Sequence, residues 1–194
     1  GLADITTWQE YQIENPDFAL PLGVDPSSPM ISILDPATGT GTFLVEVIDR
    51  VYKRFTAQHR SQCSAEEFQQ KWNSFVRESL LERLVGYELL MAPYAIAHMK
   101  VGLKLLETGV ELDEDSKVRI YLTNSLEPAH DSENQLDGIN SALAHEAIAV
   151  DNVKRSAKVT VIVGNPPYSA KQKSENDSNK NLKYKKLDEQ IANS

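Results

Sequence analysis

The chain has 194 residues, 41% hydrophobic and 25% charged, an ordinary balance for one soluble globular domain with a single core. Its one cysteine, Cys63, excludes an intrachain disulfide and a thiolate-held metal and fits a reducing compartment; no stretch has the length and apolarity of a membrane span or signal peptide, so a cytoplasmic protein with no membrane partner is expected. The formal net charge of -8 excludes a domain that grips phosphate backbones over a wide face, because that grip rests on Lys and Arg displacing counterions.

The chain opens Gly1-Leu2-Ala3-Asp4 and reads as a fragment, with residues 1–29 leading into the domain. Met30 to Leu34 is a short apolar run stopped by Asp35-Pro36, where proline blocks ladder pairing, so it predicts a buried strand. From Thr42 to about His59, Phe43, Leu44, Val47, Ile48, Val51, Tyr52 and Phe55 recur at spacings of three and four, which puts them on one face of a helix. A second helix is expected over Ala65 to Glu82, and a second strand over Arg83 to Tyr87. Ala92 to Leu106 follows as a helix with Ala95, Ile96, Met99, Leu103 and Leu106 on one stripe, closed by Gly109.

Val118 to Leu122 supplies a third strand. Residues 127–140 are polar and rich in turn formers, which predicts a loop; Ser141 to Asn152 predicts a further helix, and Val159 to Val163 a fourth strand running into Gly164-Asn165. Strands alternating with helices imply a parallel sheet covered on both faces. Residues 171–186 carry Lys, Asn, Ser and Asp with almost no apolar side chains, a composition that predicts a linker, or an arm that orders on a partner.

In such a sheet ligands sit beyond the carboxyl ends of the strands, where the strand order reverses, and all four predicted strands end in polar or glycine-rich sequence. The first ends in Asp35-Pro36-Ala37-Thr38-Gly39-Thr40-Gly41-Thr42-Phe43, whose two glycines let backbone turn sharply and approach a ligand. Thr42 after Gly41 lacks the lysine of a P-loop, and Leu44 stands where a dinucleotide fingerprint needs a third small residue. The second strand places Glu88 where its carboxylate suits the ribose hydroxyls of a nucleoside-type ligand. The third ends in Thr123-Asn124-Ser125, suited either to an adenine edge or to a simple Asx turn.

The fourth gives Gly164-Asn165-Pro166-Pro167-Tyr168. Consecutive prolines stiffen the chain and hold the Asn165 side chain and the Pro166 carbonyl in fixed directions. Two acceptors aimed at the hydrogens of an exocyclic purine amine would draw its lone pair out of conjugation, and the Tyr168 ring suits stacking on a flipped base. His59, His98, His130 and His145 show no ligand-like pairing, so no metal is expected. No Gly-x-Ser-x-Gly elbow occurs and Cys63 has no base nearby in sequence, which argues against a covalent intermediate.

Taken together, Asp35 to Phe43 and Asn165 to Tyr168 resemble the cofactor and catalytic motifs of the S-adenosylmethionine (SAM)-dependent DNA adenine-N6 methyltransferases in which the cofactor motif comes first. The likeness covers roughly residues 30–190, and residues 179–188 look like the region after the catalytic motif in large single-polypeptide restriction-modification enzymes of the type I and type IIG kinds. In those, methyltransferase, nuclease and often helicase domains share one chain. The resemblance implies an α/β, Rossmann-like methyltransferase fold, a mostly parallel sheet flanked by helices and truncated at both ends, with a partial catalytic domain over residues 30–170 and a polar linker or arm over 171–194.

It further implies that Asp35, Pro36, Ala37, Thr38, Gly39 and Gly41 surround the methionine part of SAM. Phe43 would line the pocket, Glu88 would bind the ribose hydroxyls and Asn124 would meet the cofactor adenine. Many members carry Asp where this chain has Asn124, so the charge there is lost. Asn165, Pro166 and Tyr168 would act on the target adenine, in double-stranded DNA gripped and read by other domains of the parent polypeptide. Two rival functions share these features: methylation of a protein glutamine amide, which the Asp35-Pro36-Ala37 opening disfavours, and a SAM-binding or structural module inactive on its own.

Overall fold

A computed structural model describes residues 7–111, 117–126, 150, 152–154 and 159–166. The first helix, α1 (Trp8–Glu14), begins in a capping box: Thr7 Oγ1 accepts from the Glu10 N–H at 3.2 Å while Glu10 Oε2 accepts from the Thr7 N–H at 2.9 Å. The Thr7-x-x-Glu10 spacing is a sequence signature of a helix start, and it marks a helix inside a segment that the apolar periodicity left unassigned. Trp8 stacks on Phe18, with Tyr11 edge-on to the same ring.

β1 (Ile33–Asp35) leads through the glycine-rich turn into α2 (Thr42–His59), whose bounds match the periodicity. α3 (Ala65–Phe75) runs through a π turn (Val76–Leu80) into α4 (Leu81–Arg83), so the predicted second helix is one continuous rod with an inserted residue. β2 (Leu84–Glu88), α5 (Met91–Glu107), β3 (Arg119–Leu122) and β4 (Val161–Ile162) follow. Residues 150 and 152–154 are helical, so the helix runs two residues past the predicted end at Asn152. Most of that predicted helix, the 127–140 loop and the 171–186 linker lie outside the described residues.

The sheet is parallel throughout, in the order β3-β2-β1-β4. From β1 the chain steps outward through β2 to β3 and then returns to the other side of β1, so the strand order reverses between β1 and β4. That is the reversal at which open α/β sheets bind ligands. Side chains alternate across the sheet as the pleat requires. Ile33, Leu84 and Ile120 join one cluster with Leu44, Ile48, Val51, Phe55, Phe68, Trp72, Ala97, Val101 and Leu105. Val85 and Tyr87 point to the opposite face, against Val153. The doubly covered, Rossmann-like sheet expected from the alternation of elements is therefore present.

α5 differs from expectation in which face it buries. Ala97, Val101 and Leu105 face the core, while Ile96, Met99, Leu103 and Leu106 are 40% to 58% exposed. Both faces are apolar, so periodicity alone does not choose between them; close packing does. A Cβ on Gly41 would lie 3.2 Å from both Cα and Cβ of Ala97, so the helix meets the turn at one of its small residues. At the other end Gly109 (φ 82°) closes the helix, with Val110 N–H bonded to the Leu105 carbonyl and Gly109 N–H to that of Leu106. This pair is the two-bond Schellman closure, and it pins Leu105 inward.

Candidate active site

The register aligns the functional strand ends along one edge: Asp35 pairs with Gly86, Glu88 with Leu122, and Leu34 with Ile162. At the centre Asp35 is fully buried. Its Oδ1 accepts from the Ala37 N–H at 3.2 Å and its main-chain carbonyl from Thr38 Oγ1 at 3.0 Å, while Thr38 N–H donates to the Tyr87 carbonyl at 2.9 Å. Asp35 Oδ2 is buried without a hydrogen-bond partner among the described residues. Burial pushes the Asp35 carboxyl above its ordinary range; the Ala37 N–H pulls it back in part, and the nearby Glu88 charge adds to the rise.

Pro36, Ala37, Thr38, Gly39 and Gly41 form the turn itself. Gly39 and Gly41 have φ of 56° and 79°, the left-handed region that favours glycine. Gly86 makes room for this turn from beneath, since a Cβ there would lie 2.6 Å from Thr38 Oγ1. Phe43, in the first turn of α2, keeps its ring partly exposed.

Glu88 is tied directly to the turn. Its Oε2 accepts from the Gly39 N–H at 2.7 Å, and its Oε1 accepts from the N–H groups of Leu89 and Leu90 at 2.9 and 2.8 Å. A carboxylate offers about four acceptor positions, so room remains for an added hydroxyl, most directly at Oε2. Asn124 spends Oδ1 on the Leu126 N–H at 3.0 Å, the Asx turn weighed from its sequence, and its carbonyl accepts from Lys154 Nζ at 2.8 Å. Lys154 also lies over the Tyr87 ring.

On the far side of β1, Val163 N–H bonds the Leu34 carbonyl and carries the chain to Gly164, Asn165 and Pro166. Asn165 and Pro166 are exposed; Pro167 and Tyr168 lie outside the described residues. A Cβ on Gly164 would lie 2.7 Å from Asp35 Oδ1, so the Asp35 and Asn165 turns are in direct contact. The fold thus gathers Asp35, the glycine turn, Glu88 and Asn165 at one edge, with Asn124 one strand farther out.

Sequence reasoning did not pick out Gly86, Gly164, Lys100 or Lys154. Lys100, on α5, donates to Thr40 Oγ1 at 3.4 Å and Thr42 Oγ1 at 3.3 Å, a pairing across some sixty residues that no local pattern announces. Gly86 and Gly164 could have been found as the small residues within strand-end sequence, where glycine often marks close backbone approach. Among the described residues no group of three or more His, Cys, Asp or Glu could hold a metal ion, and no helix is long and apolar enough to cross a membrane.

Comparison with known proteins gives this edge a context. Solved structures with the same fold include a DrdV–DNA complex (30% identity, 84% of this chain and 13% of that one, TM-score 0.53). They also include a nuclease-deletion mutant of the Type ISP restriction-modification enzyme LlaGI with a DNA substrate mimic (25% identity, 100% and 14%, TM-score 0.58). A third is the ATP-dependent Type ISP enzyme LlaBIII bound to DNA (27% identity, 86% and 10%, TM-score 0.57). The chain therefore spans between 10% and 14% of the length of those chains. No curated protein matches it. The family defined by the DNA-methyltransferase domain of MmeI matches residues 28–193, a span that holds the whole sheet and every strand-end residue described above. Two of the structures it resembles are restriction-modification enzymes, and the chain belongs to that family of DNA-methyltransferase domains.

Proposed function

We propose that this domain transfers the methyl group of SAM to N6 of an adenine flipped out of double-stranded DNA, within a larger restriction-modification enzyme. The observation that carries the reading is the contact between the Asp35 and Asn165 turns where the strand order reverses, which in this reading joins a cofactor cradle to an amine-binding turn. The DNA complexes of DrdV, LlaGI and LlaBIII support DNA over a protein amide as substrate.

The residues fit the cofactor. Gly39 leaves backbone open to close approach, the unpartnered Asp35 Oδ2 suits a cationic amino-acid end, and Glu88 retains acceptor capacity for a ribose hydroxyl. Phe43 lines the approach and Asn124 stands at the adenine end. When bound, SAM supplies an electrophilic methyl group on a positively charged sulfur.

This chain's own residues do the rest. Asn165 Oδ1 and the Pro166 carbonyl accept the two amine hydrogens, localise the lone pair on N6 and hold it in line for attack. With SAM held by the glycine turn and Glu88, N6 so oriented would take up the methyl group as the S–C electron pair stayed with sulfur, and would then release a proton to water. Tyr168 stacks on the flipped base in this reading and offsets part of the unstacking cost. With a net charge of -8 the domain leaves the grip on DNA to other domains of the parent, among which target recognition, nuclease and helicase domains are the expected kinds. Residues 30–170 serve as the catalytic domain and 171–194 as a polar linker or arm, in a cytoplasmic enzyme.

The test is Asn165→Ala, assayed by transfer of labelled methyl to DNA with digestion to nucleosides. Methylated adenine should form with the parent protein and fall by at least about a hundredfold in the variant, the usual scale for losing groups that orient a reactant. SAM affinity by calorimetry should stay unchanged. Full activity in the variant, or label on cytosine, would refute the assignment.

A further inference from the structure

We infer that Gly164 is a positioning residue: the absence of a side chain there lets the Asn165 turn seat against Asp35 and sets how close Asn165 stands to the cofactor cradle. This rests on the methyl-transfer reading above. Among the described residues the positive-φ glycines are Gly23, Gly39, Gly41 and Gly109 and not Gly164, so its backbone is open to any residue and the glycine is there for space. A Cβ would lie 2.7 Å from Asp35 Oδ1 and 3.2 Å from Pro36 Cδ.

Those neighbours cannot withdraw. Asp35 is fully buried, its Oδ1 is held by the Ala37 N–H, and Pro36 is a rigid ring. β1 is a central strand paired on both sides, whereas among the described residues β4 pairs two, both exposed. A methyl group at 164 therefore displaces the Asn165 turn and leaves the cradle in place. Ordinary contact begins near 3.4 Å, so relief of the 2.7 Å approach needs a shift of about 0.7 Å. A misplacement of that order costs about ten- to a hundredfold in a step that depends on in-line geometry.

The experiment is Gly164→Ala in the intact protein, with Gly164→Ser as a second variant carrying the same Cβ. Single-turnover methyl transfer should fall about ten- to a hundredfold while the dissociation constant for SAM stays within about threefold. An unchanged rate, or a loss of SAM affinity that matches the loss of rate, overturns the inference. Urea unfolding of Gly164→Ala with and without Asp35→Ala tests the contact independently of chemistry. The drop in midpoint caused by Gly164→Ala should at least halve once the Asp35 side chain is gone; an equal drop in both backgrounds overturns the contact. Should Gly164→Ala alone not fold, recovery of folding on adding Asp35→Ala sustains the contact and failure to recover overturns it. Absence of methyl transfer by the parent protein is a failure of the functional reading instead, and the unfolding cycle still decides whether the two turns are seated on one another.

Discussion

Replacing Gly41 by alanine tests whether the glycine turn is shaped by backbone conformation alone or also by the helix that crosses it. Two costs add. Gly41 has φ 79°, a left-handed conformation that costs an L-residue about 1–2 kcal/mol. Its new Cβ would also sit 3.2 Å from both Cα and Cβ of Ala97 and 3.4 Å from the Ala97 carbonyl oxygen, and overpacking of this sort costs about 1–3 kcal/mol. The expected loss is about 2–5 kcal/mol in urea unfolding with linear extrapolation. Gly23 is an internal control, because it has nearly the same φ, 75°, with nothing within 4 Å of its would-be Cβ. Gly23→Ala should cost only the conformational part, about 1–2 kcal/mol. Equal losses for the two variants would show that the close approach of α5 contributes nothing, and the packing argument for the buried face of α5 would fall with it. Ala97→Gly should recover only part of the Gly41→Ala loss, since the Ala97 main-chain atoms stay in place.

Two further predictions concern pH. Burial raises the Asp35 carboxyl above its ordinary 3.8, so the folded state holds this proton more tightly than the unfolded chain, and stability is lost as pH rises through the raised value. Asp35→Asn, which keeps the acceptor for Ala37, should therefore gain stability over the unliganded parent across that window and hold a constant margin above it. A pH-independent difference between the two unfolding curves would contradict this. Asp49 behaves in the opposite sense: hydrogen bonds from Lys104 and Lys53 at 2.7 and 2.5 Å hold its carboxyl down at about 2. Its contribution is present above pH 3.8 and is lost as pH falls towards 2, so Asp49→Asn should converge on the parent in acid unfolding. A gap that persists at pH 2 would count against the pairing.

How far the molecule was legible in its sequence depended on whether the deciding force was local. α2 could be bounded correctly because one face is apolar and the other polar, so a single period carries the signal. α5 has two apolar faces, and the choice between them was made by Gly41 and Ala97, fifty-six residues apart. The start of α1 was written in Thr7 and Glu10 but not in any apolar stripe. At the site, the glycine turn, Glu88 and Asn165 could be named from strand ends, because strand ends in a parallel sheet share an edge by construction. Which glycine was needed for conformation and which for space could not: Gly39 and Gly164 look alike in sequence, and only the neighbours of Gly164 reveal its purpose.

The pairing of β4 also differs from that of the other strands in the length of chain it closes. β1 joins β2 through Ile33 and Leu84, and β2 joins β3 through Val85 and Arg119, whereas β1 joins β4 through Ile33 and Val161. Those contacts close about 51, 34 and 128 residues of chain respectively, and the longest closure costs only about 0.8 kcal/mol more than the first. The entropy is small, and among the described residues it is repaid by two paired residues of β4 and by the flanking bonds of Thr160 to Ser32 and Val163 to Leu34. The Asp35 edge is therefore built on three strands paired at shorter range, and the Asn165 turn hangs on the longest closure. Fewest paired residues hold that turn among the described strands, so it is the part of this edge expected to open first.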